Sequence, residues 1–237
     1  MMELTNITVR YGDKTVVKDV SAKAETGQFI ALVGPNGSGK SSLLKAIAGL
    51  LPHDGTTSLP ANRRDRAKHL AYLAQNSTAP ATRLVENIIA LGRTPFVGPF
   101  TKLSDKDKRA IKTAAKACDI EPFFGREFGA LSGGEQMRVH LSRALATQAP
   151  ILFADEPLSG LDPFYQISIL NILRETAANG TIVIAALHDL ELARRFTDKI
   201  WVLHEGQLVA NSPSSAALTT ELLKDVFRIT PDGNIAS

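Results

Sequence analysis

Apolar and polar residues alternate along LTNITVRYG and again along VVKDVSAKA, the period of two that marks a half-buried strand. Gly12–Asp13 between them is a turn signal. The pattern then changes. QFIALVG is a continuous apolar run, which predicts a strand covered on both faces. It leads into a glycine-rich loop and then SSLLKAIAGLL, a helical pattern that Pro52–Gly55 breaks. HLAYLAQ at 69–75 predicts a further strand. From about 80 to 148 the spacing is helical throughout: RLVENIIALGR, SDKDKRAIKTAAKACDI and GGEQMRVHLSRALATQ, with no strand between them. Beyond that, the apolar strands ILFAD and TIVIAAL alternate with the helices PFYQISILNILRETAAN and LELARRF. KIWVLHEG and QLVA form a closing hairpin pattern, and the tail from Ser212 carries a short helix, TELLKDVFRI, and a polar end.

Strands alternating with helices predict an α/β fold with a mostly parallel sheet and crossover helices. The helical stretch 80–148 is expected to be an insert whose last helix returns to the core. There is no internal repeat.

Composition narrows this picture only a little. A chain of 237 residues with 44% hydrophobic and 22% charged residues can bury a sizeable core. A net charge of +3 is too small to argue for nucleic acid. Cys118 is the single cysteine, so no internal disulfide forms, and its place on the apolar stripe of AIKTAAKACDI speaks against a catalytic thiol. No run of 18 apolar residues occurs, so no membrane span is expected. The start, MMELTNITVRYG, has no signal-peptide pattern.

The candidate chemistry is concentrated at strand ends. Gly34-Pro35-Asn36-Gly37-Ser38-Gly39-Lys40-Ser41 matches G-x-x-x-x-G-K-[ST] between a buried strand and a helix. Its glycines let backbone N–H groups curl around an anion, and the helix that follows points its positive end there. Lys40 supplies a cation for β- and γ-phosphates, and the Ser41 hydroxyl can ligate Mg²⁺. ILFADEP ends a buried strand on two acids, Asp155 and Glu156, at the sheet edge where ligands bind in such folds. Alone, that pair reads equally as solvated acids. Beside a phosphate loop, Asp155 is a candidate to hold Mg²⁺ and Glu156 a candidate to polarise the attacking water.

Two further segments extend the pattern: Leu131-Ser132-Gly133-Gly134-Glu135 before a long helix, and Leu158-Ser159-Gly160-Leu161-Asp162 after the acids. With the phosphate loop they closely resemble the ATP-binding-cassette (ABC) family, in order, from Tyr11 to about Gly206. The resemblance implies one ABC ATPase domain over 1–237. Segments 1–79 and 149–237 would be a P-loop NTPase core with an N-terminal antiparallel β-subdomain, and 80–148 the helical subdomain. It implies that Tyr11 stacks on adenine, although a tyrosine at a strand end also serves packing. It extends the nucleotide-binding set to Ser42. It makes Gln75 a contact of Mg²⁺ and water that couples to a membrane partner, and His188 the switch histidine at the γ-phosphate. Ser159, Gly160, Leu161 and Asp162 become coupling residues between two copies. Glu135 stands where the family more often has glutamine.

Ser132-Gly133-Gly134 also has a physical reading of its own, as a second anion nest at a helix N-terminus. Two phosphate sites in one chain suggest a head-to-tail homodimer, with each ATP between Lys40 of one copy and Ser132 of the other. One cassette without a span implies a separate integral-membrane permease and an extracytoplasmic substrate-binding protein. The chain would then sit peripherally on the cytoplasmic face of the inner membrane, soluble when expressed alone. TRLVENIIALGRTP at 82–95 is similar to the ATPases of iron-siderophore, haem and vitamin B12 importers, and its helix is expected to dock a permease. Amino-acid or metal-ion import, or a soluble switch on nucleic acid or ribosomes, are the alternatives. The weak charge argues against nucleic acid.

Overall fold

The structure, a computed structural model, describes residues 1–98 and 101–230. Residues 231–237, the polar end of the tail, lie outside the described residues.

Two sheets organise the molecule. β1 (Met2–Tyr11) and β2 (Lys14–Ala24) form the expected antiparallel pair, and β4 (Asp54–Thr57) joins the other edge of β1. The second sheet has six strands. β5 (Leu70–Leu73), β6 (Ile151–Asp155), β7 (Ile182–Ala186), β3 (Phe29–Val33), β8 (Lys199–His204) and β9 (Gln207–Pro213) lie in that spatial order. All its pairs are parallel except the closing hairpin β8–β9.

Every residue of β3, β6 and β7 is buried, which is why these strands read as unbroken apolar runs. Their side chains still alternate between faces and so feed two cores. Ile30, Leu32, Phe153, Ile184 and Trp201 face α1 (Lys40–Ile47) and the small sheet. Phe29, Ala31, Leu152, Val183 and Val202 face the other helices. These are α3 (Val85–Ala90), α4 (Asp105–Ala117), α5 (Gly133–Ala146), α6 (Pro163–Ala178) and α7 (Leu190–Phe196). Each fully buried large side chain contributes about 1.5–3 kcal/mol.

Several elements differ from expectation. β4 overlaps the expected helix break at Pro52–Gly55, and α2 (Arg63–His69) falls where no element is expected. Neither has an apolar face: β4 is DGTT and almost wholly exposed, and α2 buries no residue. β4 is held by pairing with β1 and by an Arg10–Asp54 ion pair, and α2 by Asn62, whose side chain accepts from the Arg64 and Asp65 amides. The tail helix is only one α-turn, α8 (Thr220–Leu222), followed by a wider π-turn over Leu223–Phe227. Cys118 is fully buried, and burial pushes its thiol up to about 12, which leaves it unreactive.

Candidate functional site

The strand order β5-β6-β7-β3 decides the site. These four neighbours are parallel, so their carboxyl ends lie in a row on one edge. That row carries Gln75 after β5, Asp155 and Glu156 at β6, His188 after β7, and the phosphate loop after β3. Residues scattered over 155 positions of sequence thus meet through topology alone.

The loop is shaped by two tight approaches. Gly34 (φ 153) passes against the Leu203 carbonyl so closely that a Cβ would overlap it. Gly39 (φ 105) is in a left-handed conformation, and a Cβ there would lie 2.6 Å from the Val16 carbonyl oxygen. Only glycine fits either position. Gly39 is the N-cap of α1, so the loop ends at that helix's free N–H groups. Val16, Asn36, Gly37, Lys40, Ser42 and Glu156 are among the residues lining a cleft of about 280 Å³. None of residues 132–135 lines it.

Lys40 is buried, and its Nζ donates to the carbonyls of Gly34 at 2.8 Å and Pro35 at 3.1 Å. Burial lowers its pKa; the nearby Glu156 and Asp155 carboxylates oppose that shift. Asp155, 1% exposed, accepts at one oxygen from Ser41 Oγ (2.8 Å) and at the other from the Tyr72 hydroxyl (2.8 Å). Burial first, and Asp155 second, raise the Tyr72 pKa, so the phenol stays a donor. A hydroxyl, a carboxylate and the nearby Gln75 amide are hard oxygen donors of the kind Mg²⁺ takes beside phosphate oxygens. Among the described residues no group of three His, Cys, Asp or Glu could hold a metal unaided.

Glu156 is gripped from both sides. Gln75 Nε2 donates to its Oε2 at 2.5 Å, and His188 Nε2 lies 2.8 Å from its Oε1. Its side chain is 15% exposed and that of His188 47%. Its backbone is left-handed (φ 51), which costs a non-glycine residue about 1–3 kcal/mol. That turn separates the directions of two adjacent acids.

Ser159, Gly160 and His188 line an adjoining cavity of about 220 Å³ with Glu156. Asp162 is the N-cap of α6, its side chain accepting from the Tyr165 amide at 3.1 Å, and Leu161 beside it is half-buried. Ser132 and Glu135 form a capping box on α5, with Ser132 N donating to Glu135 Oε2 at 2.7 Å. That bond holds the Glu135 carboxyl below the usual range. Ser132 and Gly133 are exposed. Gly134 is buried against the Tyr165 ring, where a Cβ would overlap the ring carbons. Tyr11, 51% exposed, ends β1 opposite Lys14, outside the cleft lining.

Residues 17–159 match the family described as ABC transporter. The chain belongs to the ABC transporter family. It is an ATP-hydrolysing subunit of that family. This ABC ATPase is 39% identical to the hemin import ATP-binding protein HmuV of Pseudomonas fluorescens (strain Pf0-1), over 96% of this chain and 92% of the relative. It is 32% identical to the manganese transport system ATP-binding protein of Halalkalibacterium halodurans, over 100% of this chain and 94% of the relative. In fold it is similar to an inward-facing ABC transporter described as metal-chelate type, with TM-score 0.86 and 23% identity over 97% of this chain and 89% of that one. It is also similar to a dimeric ATP-binding cassette in a post-hydrolysis state bound to ADP and Pi, with TM-score 0.77 and 26% identity over 90% of this chain and 99% of that one.

The site contains two contacts that no sequence motif signals. Tyr72 reaches Asp155, and Tyr165 covers Gly134. HLAYLAQ places Tyr72 on a strand but says nothing of its partner. Tyr165 falls in the helical segment PFYQISILNILRETAAN, which says nothing of Gly134.

Proposed function

We propose that this ABC ATPase powers uptake of a haem- or iron-chelate-type substrate through a separate membrane permease. The observation that carries the catalytic part is Glu156 fixed between Gln75 and His188 at the mouth of the phosphate cleft. Glu156 is the group that polarises the attacking water, and His188 and Gln75 orient it. Lys40 and the loop amides hold the β- and γ-phosphates. Tyr11 stacks on the base. Ser41, Asp155 and Gln75 hold Mg²⁺, which when bound offsets charge on the phosphates. Gln75 joins two tasks, since it touches Glu156 and begins the segment leading to α3.

Ser132–Glu135 lie away from this cleft, so the second anion nest serves ATP bound on another copy. The active unit is then a homodimer, with Ser159–Asp162 between the two sites and 80–148 as the arm that presents the nest. A groove of about 820 Å³ lined by Arg63, Arg64, Leu91, Pro95 and Leu103 adjoins that arm. Its apolar floor and two exposed arginines suit an amphipathic permease segment bearing carboxylates. An extracytoplasmic substrate-binding protein would complete the system. No helix of the described residues is long and apolar enough to cross a membrane, so the permease supplies the attachment.

The import branch rests on the haem-import relatives and on TRLVENIIALGRTP. The manganese relative supports a second reading, metal-ion import. Co-expression with a haem-type permease tests the proposal. The chain is expected in the membrane fraction with the permease and out of it alone, and Arg64→Glu should reduce that recruitment without weakening ATP binding. Haem uptake in proteoliposomes supports the first cargo; uptake of Mn²⁺ alone supports the second.

A further inference from the structure

Tyr72 belongs to no phosphate or metal motif, yet it makes one of the two hydrogen bonds that Asp155 accepts. Ser41 approaches one carboxylate oxygen from α1 and Tyr72 the other from β5, each at 2.8 Å. The terminal torsion of an aspartate is soft, so a single donor would leave the carboxylate plane free to turn. Two donors on different oxygens, from different elements, fix it.

We propose that Tyr72 is a positioning residue for the metal-holding carboxylate. Its hydroxyl occupies the oxygen of Asp155 remote from Ser41 and so aims the oxygen beside Ser41 at the nucleotide. The inference rests on Ser41 and Asp155 as the Mg²⁺ set. Its physical basis is pre-organisation: a carboxylate already held in one plane loses less freedom on binding a cation. Outer partners of metal ligands commonly set metal affinity by 10–100-fold. A bond that merely satisfies a buried acceptor would serve the fold and leave metal affinity alone.

Tyr72→Phe separates the two, because it keeps the ring and removes only the hydroxyl. ATP affinity is measured in EDTA and across a Mg²⁺ titration, and Mn²⁺ binding to the nucleotide-loaded protein is followed by electron paramagnetic resonance. The expected result is unchanged affinity in EDTA, an apparent metal constant weakened about tenfold, and turnover restored at high Mg²⁺. A Tyr72→Phe chain with wild-type metal dependence overturns the proposal. So does an equal loss of ATP affinity with and without metal, since that reports a displaced phosphate loop. Ser41→Ala is the control: if it too leaves metal dependence intact, the fault lies in the metal assignment and not in Tyr72.

Discussion

Glu156 and Lys40 show how the site is built residue by residue. Glu156 sits on a left-handed turn with both oxygens engaged, so its direction is set before any substrate arrives. Burial lowers the pKa of Lys40, and the neighbouring Glu156 and Asp155 carboxylates only partly oppose that shift. Lys40→Ala removes the phosphate cation and leaves those acids unopposed, so ATP binding should weaken and hydrolysis cease. Equilibrium binding and turnover near wild type would contradict the assignment. Tyr11 is exposed and free to meet a base. Stacking is worth roughly 1–3 kcal/mol, so Tyr11→Ala should weaken ATP binding by that amount while Tyr11→Phe should not; equal loss in both would point to the hydroxyl. The loop, the acids and His188 were legible because motif spacing and strand-end position coincide. The Tyr72–Asp155 bond was not, since neighbouring parallel strands come from distant sequence. The left-handed Glu156 was hidden for a different reason: no residue type announces it.

At the scale of elements, segment 82–95 proves to have two sides. It was expected to offer a docking surface, and Leu91 is exposed beside the arginine-rimmed groove. Gly92 and Arg93, however, turn inward. Gly92 packs against the Arg143 carbonyl, and Arg93 pairs with Asp107 at 2.8 Å and donates to the Ala146 and Thr147 carbonyls at the end of α5. The Asp107 carboxyl is held low by Ser104 and then by Arg93. Arg93→Ala leaves the buried Asp107 carboxylate with Ser104 as donor but without its cation, and loss of one partner of such a pair costs up to about 3–5 kcal/mol. Urea unfolding should show it; a loss under about 1 kcal/mol would mean the pair behaves like a surface one. His140 on α5 gives a pH test. Burial, then Arg143, lower its pKa from 6.5 to about 4. The unfolded chain therefore takes up the proton first, and stability falls as pH drops from about 6.5 to about 4. Thermal melts of wild type and His140→Leu should diverge at pH 7.5 and pH 5, with the variant losing less on acidification. Parallel curves would remove His140 from the acid response. β4 and α2 escaped the sequence because DGTT and RRDRAKH carry no apolar period; pairing and capping hold them instead.

At the scale of the whole molecule, the two features proposed to bind anions do not meet within one chain. The cleft at Lys40 excludes residues 132–135 from its lining, and the α5 nest opens at Ser132 and Gly133 on the surface. Gly134 is a poor place to test the nest, because any side chain there strikes Tyr165. Ser132→Asp is better: aspartate still caps α5 and brings a negative charge to the anion position. It should abolish ATP-driven pairing and spare ATP binding by the monomer. Loss of monomer binding would contradict an arrangement across two copies. The central claim, that Glu156 drives hydrolysis of ATP held between two copies, meets its most direct test in Glu156→Gln. That change keeps the shape and removes the charge that repels the γ-phosphate. Turnover should fall at least about a hundredfold with ATP affinity kept or improved. The measurement is the mass of Glu156→Gln in Mg-ATP by size-exclusion chromatography with light scattering. The account predicts a dimer for the variant where the wild type remains monomeric; a variant that binds ATP yet stays monomeric and turns over at the wild-type rate would contradict it.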